Sequence, residues 1–473
     1  MTQSSSPMTF IVHAQVGDQN IRAALGKAEY SYYFLLKAFL PALHACGEVL
    51  TVTSPHEEVD ALYDQRSAAG ERCLFISFTP PSLAPLGLRC PTLCLFAWEF
   101  DTLPDGRWTT DPAQNWAWAL TQHTGAIVCS QHTADVVRRA LGDDYPVTSL
   151  AAPVWDRFAA FYSPASELPA RNTSPLSLSV RGYVYDSAEI AFEVNNLFPA
   201  LFRRYERQAP PSRLPAAAPA KPEREPPSER PPESSADEVK ATDLLLNGTI
   251  YTSVFNPVDG RKAWYDIVTA FCIAFRDRED AVLVLKMTHT DPDSYRHNLH
   301  HVLHQLTPFK CRVVAFNGYL EADAFADLIK STAFYVNASH CEGLCLPLLE
   351  FMSAGVPAIA PDHTAMADYI HRDNALVVSS SEEINIWPND SSNRYTTRRY
   401  RNDWQGLCAA FEQSYLMINT DPAQYSRMAT RAHEDMKAFC SLEAATKGLT
   451  DFLSRVDTSV TSAPTPMQTE EGH

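Results

Sequence analysis

Short apolar runs alternate with helical segments along most of this 473-residue chain. In the first half the runs include TFIVHAQV, RCLFISF and TLCLFAW, and in the second half TIYTSVF, AVLVLKM and FYVNAS. Apolar runs of this length between helices are typical of parallel strands that are buried on both faces. The sequence therefore predicts an α/β protein with two Rossmann-like parallel-sheet domains. Ligands of such sheets bind beyond the carboxyl ends of the strands, which here means a central cleft between the domains.

A proline-rich stretch interrupts this pattern near the middle of the chain. Residues 208–239 contain nine of the 34 prolines and almost no large apolar side chains. Such a composition buries too little apolar surface to offset the entropy lost on ordering. We therefore expect a disordered insertion, and because proline-rich segments also bind other proteins, it is a candidate partner site.

The composition divides the chain into five parts. The two ends are expected to be disordered, and an inter-domain insertion containing the proline-rich stretch separates the two Rossmann-like domains. The last helix is a candidate to return from the second domain to the first. The predicted boundaries are 1–8, 9–175, 176–243, 244–456 and 457–473.

Bulk charge excludes one class of partner. The formal net charge is −17 and the isoelectric point is near 5.3. Nucleic-acid-binding proteins usually present a basic face, so we expect no nucleic-acid partner. A small anionic ligand remains compatible with this balance, because a single pocket can be locally positive.

Neither a membrane span nor a secretion signal is predicted. No apolar run reaches the roughly 18 residues that cross a bilayer, and the N-terminus MTQSSSPMTF lacks a basic region followed by an apolar core. The 11 cysteines, an odd number, are typical of reduced thiols. These features predict a cytoplasmic protein and leave peripheral membrane association open, since that needs only a modest surface patch.

The segment HNLHHVLHQL raises the question of a metal site. On a helix its leucines and valine form one stripe, and its four histidines lie on the opposite face. A polar face opposite an apolar one is most simply solvated, and no carboxylate or cysteine nearby completes a ligand set. No metal is expected.

Two glutamates bracket the segment GLCLPLL in the second half. Glu342 lies in the loop NASHCEG after a buried strand, and Glu350 is predicted to lie in the first turn of a helix with Pro347 at its start and Gly355 as its cap. Free amides at a helix N-terminus form an anion site, and carboxylates accept hydrogen bonds from vicinal hydroxyl groups. Taken alone, the pair is better explained as ordinary charges at a helix start.

The string EGLCLPLLEFMSAGVPAIAP resembles the E-x7-E signature of retaining GT-B glycosyltransferases of family 4, the glycosyl transferases group 1 set. The resemblance covers roughly residues 244–455 and is weaker in the N-terminal half. It implies the GT-B fold, with Glu342 contacting the donor sugar and Glu350 the ribose hydroxyls. It also places the backbone amides of Gly343 and Leu344 near the sugar and phosphates.

The same resemblance implies a basic pair on the diphosphate of the donor. Lys262 corresponds to the family's lysine, because it stands at the start of the first long helix of the second domain. The family's arginine has no counterpart in YTSVFNPVDG, so Arg261 and Lys286 are the alternatives for the second cation. In the loop PDHTAM, His363 and Thr364 are candidates for bonds to ligand oxygens, or Thr364 simply caps the following helix.

The first half is expected to supply the acceptor side. Gly17 and Gly26 lie in a loop after the first strand, where relatives have a glycine-containing loop close to the substrates. In LFAWEFDTLPDG, Trp98, Glu99 and Asp101 follow an apolar strand and are predicted at its carboxyl tip. Glu99 is a candidate to orient or deprotonate an acceptor hydroxyl, and a structural carboxylate is the alternative.

Together these features predict transfer of a sugar from a nucleotide-diphosphate-sugar to a hydroxyl with retention of configuration, in the biosynthesis of a glycan, polysaccharide or glycoconjugate. The acceptor is a glycan, a lipid-linked molecule or a protein. The nucleotide-sugar is a co-substrate, and neither a cofactor nor a metal is expected. Two alternatives remain: another reaction on the same scaffold, such as epimerisation or phosphorolysis, and a non-catalytic interaction module.

Overall fold

The computed structural model describes residues 7–27, 29–105, 114–162, 176–190, 241–386 and 396–456. The predicted disordered stretch 208–239, the tail 457–473 and most of the predicted N-terminal end lie outside these residues. Two parallel sheets dominate the described chain. The prediction of an α/β protein with two Rossmann-like domains is confirmed.

The first sheet has six strands, all parallel, in the order β2-β1-β3-β4-β5-β6 once numbered along the chain. Strands of this kind need an apolar side chain on both faces, and β3 and β4 are buried along nearly their whole length. The strands are β1 (Met8–His13), β2 (Glu48–Thr51), β3 (Arg72–Phe78), β4 (Thr92–Phe96), β5 (Gly125–Val128) and β6 (Val147–Ser149). The helices are α1 (Glu29–Cys46), α2 (Pro55–Ala68), α3 (Trp116–Thr121), α4 (Gln131–Leu141) and α5 (Trp155–Phe158).

The second sheet has seven strands, and six of them are parallel. Its order is β15-β14-β13-β10-β11-β12-β8, in which β8 is antiparallel to β12. The strands of this sheet are β8 (Val184–Asp186), β10 (Thr249–Phe255), β11 (Ala281–Met287), β12 (Arg312–Asn317), β13 (Thr332–Val336), β14 (Ala358–Ala360) and β15 (Ala375–Val377). Two further strands, β7 (Leu176–Arg181) and β9 (Ala241–Leu246), pair antiparallel with each other as a separate two-stranded sheet. The stretch 176–190, which lies in the predicted insertion, therefore contributes the edge strand β8.

Helices cover the second sheet and close the chain. Helix α13 packs against α1, so the last helix lies on the N-terminal domain. The bounds are α6 (Ser187–Ile190), α7 (Trp264–Ala274), α8 (Arg296–Leu306), α9 (Ala322–Ser331), α10 (Leu346–Ser353), α11 (Trp404–Thr420), α12 (Pro422–Cys440) and α13 (Leu442–Leu453). Between β15 and α11 in the chain, β16 (Ser380–Ile386) pairs antiparallel with β17 (Thr396–Asn402), and this pair is called the β16–β17 hairpin.

Strand register sets where the cleft side chains emerge. Strand β10 pairs with β11 from Thr249 opposite Ala281 to Phe255 opposite Met287, so both strands end at the same level. Strand β13 lies on the other side of β10. The loops that follow these strands therefore meet at one sheet edge, as parallel topology requires.

Helix α10 begins and ends close to the residues predicted from its sequence. Pro347 lies in its first turn, and Gly355 after its end has φ +73°, a left-handed conformation that favours glycine. A Cβ on Gly355 would lie 2.3 Å from Cδ2 of Tyr162, so space also requires glycine here. Because the helix begins at Leu346, Glu350 lies in its second turn, not in the first as predicted.

Candidate active site

Glu342 is the centre of a buried polar cluster at the carboxyl edge of the second sheet. It lies in the loop between β13 and α10 and is only 3% exposed. Lys262, in the turn between β10 and α7, places its Nζ 2.6 Å from Oε1 and 2.8 Å from Oε2 of this carboxylate. A contact of this length between opposite charges is a charge-assisted hydrogen bond.

Uncharged groups from the same loop complete the environment of Glu342. Ser339 Oγ donates to Oε1 at 2.6 Å, and Asn337 Nδ2 donates to Oε1 at 3.3 Å. The backbone amide of Glu342 donates to Thr364 Oγ1 at 3.0 Å. The carboxylate and its own peptide are thus fixed by partners from three separate loops, which limits the directions in which it can move.

Arg261 bridges the two domains. Its Nε lies 3.1 Å from Glu99 Oε1 of the N-terminal domain and 3.0 Å from Asp259 Oδ2. Its Nη1 lies 3.4 Å from Glu342 Oε2 and donates to the carbonyl oxygen of Cys341 at 3.2 Å. Both of these nitrogens are therefore engaged by protein oxygens.

The charges of this cluster control its protonation. Burial acts to raise the pKa of Glu342, but the nearby charges of Lys262 and Arg261 outweigh it and hold that pKa at about 2. For Glu99 the balance is opposite, since burial raises its pKa more than Arg261 lowers it. The two carboxyl groups therefore differ: Glu342 is firmly ionised, whereas Glu99 accepts a proton more readily than an exposed glutamate.

Gly343 lies where the loops of the two domains approach each other closely at the cleft. A Cβ at this position would lie 2.9 Å from the backbone nitrogen of Trp98, in the loop after β4. Any side chain would therefore push the two loops apart. The resemblance assigns the Gly343 amide to the donor, and the structure adds a packing reason for glycine. The carbonyl oxygen of the adjacent Leu344 accepts a hydrogen bond from Tyr369 at 2.8 Å.

A second group surrounds Glu350 on helix α10. Burial raises the pKa of Glu350 to about 7, against the opposing influence of Arg157 and Lys286. Burial lowers the pKa of Lys286 to about 8, and Glu350 opposes that shift. Within the described residues Lys286 forms no ion pair within 4 Å. Glu350, Arg157 and Lys37 line a cavity of about 160 Å³ between α10 and the N-terminal domain.

The loop after β14 holds His363 and Thr364 against the Glu342 loop. Thr364 adopts φ +51°, and its hydroxyl donates to the carbonyl oxygen of His363 at 2.8 Å while accepting the Glu342 amide. The His363 ring stacks on Tyr400 of β17, with 4.4 Å between ring centroids and 10° between planes. Burial lowers the pKa of His363 to about 4, so the ring is neutral at physiological pH. The hydroxyl of Thr364 therefore both donates and accepts hydrogen bonds within the protein.

The candidates predicted for the acceptor side occupy different environments. Trp98 is buried and donates from Nε1 to the carbonyl oxygen of Thr102 at 3.0 Å. Gly26 has φ +86°, and a Cβ on it would lie 2.7 Å from His289 of the second domain. Gly17 has no atom within 4 Å of an added Cβ. Asp101 accepts hydrogen bonds from the Thr397 hydroxyl and the Arg398 amide of β17.

The cluster also contains residues that the sequence did not single out. Asp259 accepts the amide of Arg261 at 3.2 Å and pairs with its side chain. Asn337 and Ser339 belong to the loop NASHCEG, where polar residues directly after a buried strand are a usable signal. For Asp259, the signal is the dipeptide Asp-Gly before Arg261, which marks a turn.

The described residues can also be compared with the arrangements that a metal site and a membrane-spanning helix require. Among them, no group of three or more histidine, cysteine, aspartate or glutamate side chains is arranged to hold a metal ion. On the predicted solvated face of α8, Nε2 of His300 lies 2.7 Å from the hydroxyl of Tyr183. No helix of the described chain is long and apolar enough to cross a membrane.

A protein-family model covers the part of the chain that carries this cluster. Residues 258–385 match the model described as glycosyl transferases group 1. That segment contains Lys262, Arg261, Glu342 and Glu350, together with the loop of His363. The matched segment is therefore similar to glycosyl transferases group 1, which agrees with the predicted enzyme class. No curated protein sequence matches the chain.

Solved structures resemble the chain in fold at low sequence identity. Sucrose-phosphate synthase from Thermosynechococcus elongatus matches with a TM-score of 0.51 at 14% identity, over 95% of this chain and 98% of that one. A glycosyltransferase from Rickettsia africae matches with a TM-score of 0.50 at 8% identity, over 95% and 98%. These similarities confirm the predicted GT-B fold.

Some matching structures are much longer. TarM from S. aureus, in complex with fondaparinux, alpha-GlcNAc-glycerol and UDP, matches with a TM-score of 0.45 at 9% identity over 80% of this chain. The chain spans 55% of the length of TarM.

Proposed function

We propose that the chain transfers a sugar from a nucleotide-diphosphate-sugar to an acceptor hydroxyl with retention of configuration. One observation carries this proposal: Glu342 is buried and ionised between Lys262 and Arg261, directly where its loop packs against Trp98 of the other domain. A fixed carboxylate beside fixed cations in a cleft suits a ligand that combines hydroxyl groups with phosphate groups.

Each element of the cluster has a role in this proposal. Glu342 binds hydroxyl groups of the donor sugar, and Lys262 stabilises the negative charge that grows on the leaving diphosphate. Glu350 binds the ribose hydroxyls. Glu99 holds the acceptor hydroxyl, and its raised pKa favours uptake of a proton. No protein nucleophile is assigned, and the acceptor's proton passes to Glu99 as the hydroxyl oxygen bonds to the sugar and the diphosphate leaves.

Lys286 is proposed as the second cation on the diphosphate. Arg261 is the alternative, but its Nε and Nη1 already contact Glu99, Asp259 and Glu342. Lys286 lies buried at the end of β11, at the same sheet edge, and forms no ion pair within the described residues. A cation without a protein partner is free to meet an anionic ligand, whereas Arg261 would first have to give up its carboxylates.

The loop of His363 and the loop of Trp98 and Glu99 also have roles in binding the substrates. His363 is neutral, so a ring nitrogen is available to bond a ligand oxygen without adding charge. The acceptor is proposed to enter from the side of Trp98 and Glu99. Closure of the two loops around the donor excludes water that would otherwise hydrolyse it.

A panel of UDP- and GDP-sugars tests the proposal. Purified protein is incubated with each donor and an acceptor extract, and nucleotide release is measured for wild type, Lys262→Ala, Lys286→Ala and Glu350→Ala. Lys447→Ala is the matched control, because this lysine is exposed on the last helix and pairs with Asp451 at the surface. We expect each of the three site variants to lose at least about tenfold in rate. If no donor supports release, or if the site variants behave as the control does, the proposal fails.

Product stereochemistry tests the finer statement. The anomeric proton of the product is observed by NMR and compared with that of the donor. Retention predicts the same anomeric configuration in both molecules. An inverted product would leave the glycosyltransferase class intact and overturn retention, and an epimerised donor without transfer would support the alternative reaction.

A further inference from the structure

The hairpin strand β17 touches both domains. Its first residues contact Asp101, which follows β4 of the N-terminal sheet. Thr397 Oγ1 donates to Asp101 Oδ1 at 2.8 Å, the backbone amide of Arg398 donates to the same oxygen at 3.0 Å, and Arg398 Nε lies 3.4 Å from Oδ2. Thr397 is only 3% exposed, so its own hydrogen bond to Asp101 competes little with water, whereas the Arg398 side chain lies at the surface.

The later residues of the same strand contact the loop that holds Glu342. The backbone amide of Tyr400 donates to the carbonyl oxygen of His340 at 2.9 Å. Asn402 Nδ2 donates to the carbonyl oxygen of Ala338 at 2.5 Å. Two residues two positions apart therefore hold the backbone of the segment immediately before Glu342.

Tyr400 also reaches Glu342 by a second route. Its ring stacks on His363, whose neighbour Thr364 accepts the backbone amide of Glu342 at 3.0 Å. The stack is nearly parallel and covers the buried His363 ring, so displacement of Tyr400 would free the His363 loop. The Glu342 loop is thus held by β17 directly and through Thr364.

We propose that β17 is a strap that couples the tip of β4 in the N-terminal domain to the position of Glu342 in the second domain. Asp101, Tyr400 and Asn402 are positioning residues in this arrangement, because they act on Glu342 through other groups. When the Asp101 contact forms, β17 is fixed at one end, and its other end then fixes the Glu342 loop. The coupling itself is independent of the proposed function, but its consequence for catalysis rests on that function.

Amide hydrogen exchange on the full chain, without any ligand, tests the coupling. Asp101→Ala removes the two hydrogen bonds from Thr397 and the Arg398 amide, each worth about 1 kcal/mol, together with the Arg398 ion pair. Exchange should therefore rise about fivefold or more not only in 396–402 but also in 336–345 of the other loop. Asp101→Asn retains the Oδ1 acceptor for Thr397 and the Arg398 amide, so it should stay within about twofold of wild type. Asp135→Ala, an exposed acid of the same domain, is the control for a general loss of stability.

The aromatic link has its own pair of variants. Tyr400→Ala should accelerate exchange in 336–345 and in 361–366, whereas Tyr400→Phe preserves the stack on His363 and should resemble wild type. Exchange in α8, which does not contact the strap, should be unchanged in every variant. If Asp101→Ala or Tyr400→Ala changes exchange only around the substituted residue and leaves 336–345 at the wild-type rate, the coupling is overturned.

Kinetics then separate the coupling from the proposed function. With a donor identified by the panel, Tyr400→Ala should lower kcat more than it raises KM, and Tyr400→Phe should restore kcat. Faster exchange in 336–345 without any transferase activity in the wild type would support the strap and refute the proposed function. Faster exchange with unchanged kcat would overturn the positioning role of Tyr400.

Discussion

Nζ of Lys262 lies 2.6 and 2.8 Å from the two carboxylate oxygens of Glu342, although the two residues are 80 positions apart in the chain. The pair lies where the turn after β10 meets the loop after β13. Because Glu342 is almost fully buried, its charge depends on this partner more than on water.

Removal of Lys262 should therefore destabilise the protein strongly at neutral pH. Lys262→Met leaves a buried carboxylate without its main counter-charge, and such losses cost about 3–5 kcal/mol. Lys447→Met removes an exposed pair and should cost less than about 1 kcal/mol. The free energy of unfolding, measured in urea at pH 7, distinguishes the two.

The pH dependence of that loss gives an independent check. The folded-state pKa of Glu342 is about 2, below its usual value of 4.5, so its ionised form contributes stability that is present above about pH 4.5 and is lost as pH falls towards 2. In Lys262→Met this contribution is removed. The difference between variant and wild type should therefore shrink on acidification, and a difference that is constant from pH 7 to pH 3 would contradict the account.

Substitution of Gly343 should separate the two domains locally. An alanine Cβ would meet the backbone of Trp98 at 2.9 Å, and backbone cannot yield as the end of a flexible side chain can. Overpacking of this kind costs about 1–3 kcal/mol, so Gly343→Ala should lower the free energy of unfolding by that amount. Gly17→Ala introduces the same methyl group where nothing lies within 4 Å, and its unfolding curve should overlay that of wild type.

Local sequence patterns were sufficient to predict much of the site. Strand patterns and turn residues placed Glu342 at a strand tip, and they placed Pro347 and Gly355 at the ends of α10, because these signals act within a few residues. The α/β fold followed from the same short-range patterns. The position of Glu350 in the second turn was missed, since the exact first residue of a helix depends on how its preceding loop packs.

Contacts between distant segments could not be predicted in this way. Gly343 meets Trp98, and Tyr400 stacks on His363, only because the two domains and the hairpin come together in three dimensions. Nothing in the neighbourhood of Tyr400 in the sequence marks it as a partner of His363. The role of Arg261 as a bridge to Glu99 likewise depends on the relative placement of two sheets, for which one sequence holds no local signal.

Nucleotide binding should show a maximum between about pH 7 and pH 8. Below about pH 7 Glu350 is protonated and is a weaker acceptor for ribose hydroxyls, and above about pH 8 Lys286 loses the charge that attracts phosphate. Arg157 is the other cation facing Glu350, and its charge opposes the rise in the pKa of that carboxyl group. Calorimetric titration with UDP and with GDP from pH 5.5 to pH 9 measures this profile.

Two variants test which residue causes the rise and which causes the decline in that pH profile. Glu350→Gln should flatten the rise near pH 7 apart from the titration of the nucleotide's own phosphate near pH 6, and it should weaken binding about tenfold at pH 7.5. Lys286→Met should remove the decline above pH 8. If both variants retain the wild-type profile, these two groups do not contact the nucleotide.

Alanine at position 26 should be destabilising for two separable reasons, the backbone conformation of Gly26 and the crowding around it. Its φ of +86° disfavours alanine, and an added Cβ would also lie 2.7 Å from Cδ2 of His289. Gly70 has φ +81° with nothing within 4 Å, so Gly70→Ala measures the conformational cost alone, about 1–2 kcal/mol.

Gly26→Ala should lower the free energy of unfolding more than Gly70→Ala does. The difference between the two losses, the excess, measures the crowding at Gly26. Because His289 lies in the second domain, this excess reports on contact between the domains and should disappear in the His289→Ala background, where the imidazole is absent. The conformational cost should remain, since no change at position 289 alters the backbone of the Gly26 loop. An excess that survives His289→Ala would show that the loop of Gly26 does not rest against the second domain as the structure has it.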